Sequence, residues 1–288
     1  MLKTVWLTKK QNITDGTAML LGGFDGLHKG HRQLLSCAKE SGLLIGVMTI
    51  VGCKEENLFT FQEREEIFKK AGVDFVFELP FEEIKGLSPE EFLQRLTDEF
   101  YPKLFVCGED FRFGAGAKGS AETIKQATHV RVEVSPLVEM DGVKISSREI
   151  KTLLKEGNIQ KANEMLSHAF FMTGIVKKDR QIGRTMNFPT ANISYPKEKF
   201  PLKRGVYETR VSIDGKTYKG ITNYGARPTF DDETVVTETH LDGFSGDLYG
   251  KELTIEFIRY LRDIQKFESA EDLKKQLTED IRRVREND

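Results

Sequence analysis

Midway along the chain the hydrophobic period changes, and no other feature limits the possible folds as much. Up to about residue 150, short apolar runs alternate with segments of helical spacing. TAMLLGG (17–23), LLIGVMTIV (43–51), VDFVFEL (73–79), KLFVCG (103–108) and HVRVEV (129–134) read as strands. HRQLLSCAKESG, FQEREEIFKKAG, SPEEFLQRLTDEF and SAETIKQAT lie between them and read as helices. Two of these end in glycine, and Ser88-Pro89-Glu90-Glu91 supplies a cap and a proline for a first turn. Strand–helix alternation predicts a parallel, doubly wound sheet, whose ligands bind at the carboxyl ends of its strands.

After Phe170 the alternation is of period two. VYETRVSIDGKTYKGITNYG predicts a hairpin about Asp214-Gly215, and KELTIEFIRYL alternates in the same way. The final SAEDLKKQLTEDIRRV places Leu273, Leu277, Ile281 and Val284 on one helical face, with Ser269 as cap and Asp272 three residues on. The predicted organisation is an α/β domain at 1–150, a helical connector at 151–170, and a mostly antiparallel barrel at 171–288 closed by a C-terminal helix. A length of 288 residues suits two domains.

Composition removes several function classes. A net charge of −2 offers no basic field for nucleic acid or an anionic membrane. The three cysteines (Cys37, Cys53, Cys107) form no CxxC pair, which suits a reducing cytoplasm. The N-terminal residues have no signal-peptide apolar region, and LLIGVMTIV is too short to span a bilayer. A cytoplasmic protein acting on small molecules is expected, with its oligomeric state left open.

The first predicted strand runs into Gly22-Gly23-Phe24-Asp25-Gly26-Leu27-His28-Lys29-Gly30-His31, followed by a helix. Glycines allow close backbone approach, and a helix N-terminus attracts phosphate. His28 and His31 can both face one phosphate and stabilise charge developing on it. In CGEDFRFGAGAKG, Asp110 can hold a metal or a ribose, while Phe111 and Phe113 offer ring faces. KISSREIK (144–151) joins Ser146, Ser147 and Arg148 to two lysines, a set suited to triphosphate.

Together these segments resemble the N-terminal module of the bacterial bifunctional riboflavin kinase/FMN adenylyltransferase (FAD synthetase) family, within the HxGH nucleotidyltransferases. FPTANI, GVY, YGARPTF and ETHLDGFSGDLYGK follow in the order that family shows, so the resemblance covers nearly the whole chain. It implies a Rossmann-like adenylyltransferase domain and a β-barrel flavokinase domain. The implied substrates are riboflavin, FMN and ATP, with Mg²⁺ or Mn²⁺ and no tightly bound prosthetic group. It implies His28 and His31 at the adenylyl site, with Gly23, Phe24, Asp25 and Gly30 around the nucleotide phosphates. Glu238 becomes the base for the riboflavin hydroxyl, and Thr190 and Asn192 the metal and ATP ligands. Gly183 and Arg184 fall in the phosphate loop, and Arg227 and Tyr249 near the flavin. Several positions depart from the family. The His-Pro pair expected after the second strand is absent from MTIVGCKEENLFTF, and Lys151 replaces an arginine. Asp179 and Asn187 stand where glycines are usual. A kinase with a degenerate adenylyltransferase half, or a flavin- or nucleotide-binding regulatory paralogue, therefore remain alternatives.

Overall fold

A computed structural model describes residues 2–6, 16–52, 56–177, 190–226 and 235–286. The chain forms two compact units, Met1–Glu149 and Ile150–Asp288.

The first unit is built on six parallel strands: β1 (Lys3–Trp6), β2 (Thr17–Leu21), β3 (Leu44–Val51), β4 (Phe75–Pro80), β5 (Pro102–Gly108) and β6 (Arg131–Ser135). Their spatial order is β1-β4-β3-β2-β5-β6. From β2 the chain moves outward through β3 and β4, then returns to place β5 on the other flank of β2. That reversal is a switch point, and loops leaving β2 and β5 diverge there to leave a crevice. Strand β2 is buried along its whole length, as expected of a central parallel strand covered on both faces. The edge strand β1 was not expected from the sequence. KTVW is too short to show a period, and only its parallel pairing with β4 makes it a strand.

The connecting helices are α1 (Lys29–Glu40), α2 (Phe61–Ala71), the single turn α3 (Phe81–Ile84), α4 (Pro89–Phe100) and α5 (Ala121–Ala127). Thr60 with Glu63 and Ser88 with Glu91 form capping boxes at α2 and α4, each satisfying two otherwise orphaned N–H groups. Gly72 closes α2 in the left-handed conformation, φ 80°. Met19, Phe77, Phe92, Phe100 and Phe105 belong to one core cluster of this unit. A short hairpin, β7 (Glu139–Met140) with β8 (Val143–Lys144), precedes α6 (Ser147–Glu156).

In the second unit α7 (Ile159–Leu166) follows α6, and Asn163 ties it to the sheet. Its amide donates to Phe257 O at 2.8 Å and accepts from Phe170 N at 2.7 Å. The sheet comprises β9 (Phe170–Ile175), β10 (Thr190–Ser194), β11 (Gly205–Ile213), β12 (Lys216–Ala226), β13 (Val235–Leu241) and β14 (Glu252–Arg262). It is antiparallel throughout, in the order β10-β13-β12-β11-β14-β9. The sheet curls until Lys177, just past β9, donates its N–H to Asn192 O of β10 at 2.9 Å. Asp214 (φ 49°) and Gly215 (φ 75°) make the tight β11–β12 turn, both with the positive φ that such hairpins require. Phe170, Met172, Tyr207, Val211, Leu253, Ile255 and Phe257 are buried.

The last helix, α8 (Ala270–Glu286), is capped by Ser269, whose Oγ accepts from Asp272 N at 3.1 Å. Val284 packs with Val206 and Ile221 of the sheet. Asp280, fully buried, takes Arg262 Nη2 at 2.7 Å and Nε at 3.1 Å, fastening the helix to β14. Among the described residues no helix is long and apolar enough to cross a membrane.

Candidate active sites

At the switch point of the first unit lies a cavity of about 610 Å³, lined in part by Gly23, His28, Gly30, His31, Asp110, Phe111, Phe113 and Ser146. Segments that are distant in sequence meet here because each follows the carboxyl end of a strand. His28 is the N-cap of α1, and its Nδ1 accepts the N–H of His31 at 3.2 Å. That contact fixes the tautomer of the neutral ring, leaving the proton on Nε2. His28 is 7% exposed, and burial lowers its pKa to about 4, with the charge of Lys144 adding to the shift. The ring is therefore a neutral donor at pH 7. His31 stacks on it at 3.6 Å between centroids and bonds through Nδ1 to Gly26 O at 2.6 Å. Because a carbonyl only accepts, that Nδ1 carries hydrogen.

Phe24 and Asp25 do not line the cavity. Phe24 is fully buried and stacks beneath His31 at 4.3 Å, while Asp25 Oδ1 accepts the Leu58 N–H at 2.8 Å. These two residues shape the turn that presents the histidines. Gly30 lies inside α1, and a Cβ there would stand 3.2 Å from the His28 ring.

Two phenylalanines that pack with the core add aromatic surface to the lining. Phe111 and Phe113 are stacked at 5.5 Å and 17°, and Asp110 is ion-paired with Lys144. Ser146 and Lys144 line the cavity, whereas Ser147 and Arg148 are not among its lining residues. Lys151 lies in the second unit with its ammonium 5.2 Å above the Phe200 ring. Sequence reasoning did not single out the apolar end formed by Met48, Ile50, Phe81 and Ile84. Such residues look in sequence like ordinary core.

In the second unit Thr190 and Asn192 alternate on β10, and Asn192 faces Glu238 of β13 in register. Thr190 Oγ1 donates to Glu238 Oε1 at 2.7 Å. This holds the carboxylate still and leaves the hydroxyl lone pairs open. A hydroxyl, an amide oxygen and a carboxylate are hard donors of the kind Mg²⁺ takes alongside substrate phosphates. Among the described residues no group of three His, Cys, Asp or Glu side chains forms a metal cluster. Tyr249 sits in the turn between β13 and β14, its N–H bonded to Asp247 Oδ1 at 3.0 Å. Asp179, Gly183, Arg184, Asn187 and Arg227 lie outside the described residues.

Two family models match in succession, FAD synthetase over residues 10–149 and riboflavin kinase over 166–287. A bifunctional riboflavin kinase/FMN adenylyltransferase of Pseudomonas fluorescens is 33% identical, over 94% of this chain and 92% of the relative. Its namesake in Bacillus subtilis is 30% identical, over 97% and 96%. A crystal structure described as a macrolide-efflux protein from Streptococcus pneumoniae superposes with a TM-score of 0.89 at 29% identity, covering 98% of both chains. With both models in the expected order and relatives matched over nearly their full length, the chain belongs to the bifunctional riboflavin kinase/FMN adenylyltransferase family.

Proposed function

We propose that the two units divide one biosynthetic sequence, the second phosphorylating riboflavin and the first adenylylating the FMN produced. Carrying this reading is the arrangement of the histidines: two stacked imidazoles at a helix N-terminus inside a cavity at the switch point. In the first unit the FMN phosphate attacks the α-phosphorus of ATP, and pyrophosphate leaves. His28 donates from neutral Nε2, and His31, whose Nδ1–H is spent on Gly26 O, stacks on the His28 ring and holds it in place. The α1 N-terminus adds its dipole, so negative charge developing at phosphorus meets oriented donors. No covalent intermediate is needed. Lys144, now paired with Asp110, is a cation within reach of the triphosphate. Phe111 and Phe113 offer a stacking wall for a planar ring.

In the second unit Glu238 accepts the proton of the ribityl 5′-hydroxyl as that oxygen attacks the γ-phosphorus of ATP. Thr190 keeps the carboxylate aimed. Thr190 and Asn192 would hold Mg²⁺, or Mn²⁺ in its place, which neutralises phosphate charge when bound. Asp110 and Ser146 belong on the nucleotide side of the first site, and Tyr249 near the flavin of the second. A cytoplasmic location fits the substrates and the sparse cysteines.

Chromatography of products from riboflavin, ATP and Mg²⁺ tests the reading. FMN appearing first and FAD second is the expected course. FMN alone would reduce the chain to a kinase, and no product would refute both assignments.

A further inference from the structure

The outer face of the antiparallel sheet carries a polar side chain with no part in the chemistry above. Asn223 of β12 stands directly across from Glu238, and Glu238 stands directly across from Asn192 on its other side. Directly opposed residues of antiparallel strands put their side chains on one face, with Cβ atoms about 4.5–5.5 Å apart. The three form a row across three strands: amide, carboxylate, amide. The burial pattern agrees, since Thr222, Tyr224, Thr237 and Thr239 are buried while Asn223 and Glu238 are half-buried.

Asn223 Oδ1 is shielded from solvent and has no hydrogen-bond donor among the described residues. A shielded acceptor left unpaired opposes folding, so its place beside the reacting carboxylate calls for a partner brought by a ligand. We propose that Asn223 is a specificity-determining residue of the kinase site. Its Oδ1 accepts a hydrogen bond from the hydroxyl next to the one that is phosphorylated, so the site recognises a terminal vicinal diol.

The geometry supplies the match. Acceptors on neighbouring strands stand about 4.8 Å apart, a span that two hydroxyls on adjacent carbons can bridge, each donating to one acceptor. The neutral amide also suits this position, because a second carboxylate would repel both Glu238 and the incoming phosphates.

The proposal rests on Glu238 as proton acceptor, and the test separates the two. The full chain and its Asn223→Ala variant are each assayed with riboflavin and with 4′-deoxyriboflavin, which lacks the neighbouring hydroxyl. KM and kcat are read separately, and flavin binding without nucleotide is followed by fluorescence quenching. Asn223→Ala is expected to weaken riboflavin about ten- to hundredfold in KM and in binding. Its effect on the deoxy analogue should be small, so that the two deletions do not add. Equal loss with both flavins overturns the proposal, as does no loss with riboflavin, or a loss seen only in metal affinity. If the alanine variant does not fold, Asn223→Val keeps strand propensity and enters the same cycle. A Glu238→Gln variant that still made FMN would refute the base assignment, while the binding cycle would still decide the role of Asn223.

Discussion

Replacing His28 by asparagine separates its capping from its titration. Asparagine is among the strongest N-cap residues and can accept the His31 N–H in place of Nδ1, but it binds no proton between pH 4 and 7. In the native chain the His28 pKa falls from 6.5 to about 4, chiefly through burial. Above pH 6.5 the ring is neutral in both folded and unfolded chains and contributes no pH dependence. Between 6.5 and about 4 the unfolded chain takes up a proton that the folded chain refuses, so stability falls with falling pH. At about 1.36 kcal/mol per pH unit, the full gap is worth about 3 kcal/mol, of which about 2.5 kcal/mol is lost between pH 7 and 4.5. Below about pH 4 both states are protonated and the loss stops. The chain has a single tryptophan, Trp6 in β1, so its fluorescence during urea unfolding reports on the first unit. Wild type minus His28→Asn should show that fall between pH 7 and 4.5. A difference that stays flat across this range would mean the ring is not held neutral by burial, and the donor assignment at Nε2 would lose its support.

Three other outcomes follow from the geometry. Glu238→Gln should lower FMN formation by at least about 10²-fold while FMN-to-FAD conversion, followed by chromatography, keeps its rate. The paired change His28→Ala with His31→Ala should abolish FAD formation and leave kinase turnover in place; unchanged FAD synthesis would remove the phosphate role from both rings. Asp280→Ala strands Arg262 at the α8–β14 seam and should cost about 3 kcal/mol in chemical denaturation, whereas a loss below about 1 kcal/mol would show that the pair contributes little.

The strands and helices of the first unit were legible because their apolar runs are long and their caps are chemical. Ser88 and Thr60 supply boxes, and Gly72 supplies a left-handed stop. KTVW carried no such marks, and its strand character comes from β4 alone. Within the HxGH segment the sequence located the histidines but treated Phe24 and Asp25 as ligand-side groups. Both are turned inward, a distinction of side-chain direction that spacing along a loop does not encode. KISSREIK reads along the sequence as one cationic cluster, yet Lys144 lines the cavity of the first unit while Lys151 stands over Phe200 in the second. Asn223 escaped notice for a further reason. A lone asparagine in a strand gains meaning only from the cross-strand register, which is a long-range fact.

Gly30 sits in ordinary helical backbone at the start of α1, so no unusual dihedral calls for glycine there. Its missing side chain is instead the clearance that lets the His28 ring lie flat over the helix start, 3.2 Å from where a Cβ would be. An alanine would raise helix propensity by about 0.5–1 kcal/mol while pressing the ring away from the backbone that sets its tautomer. Thermal robustness and turnover therefore pull in opposite directions at this position. A Gly30→Ala chain that melts at a higher temperature while making less FAD would show that one methyl group sets these two demands against each other.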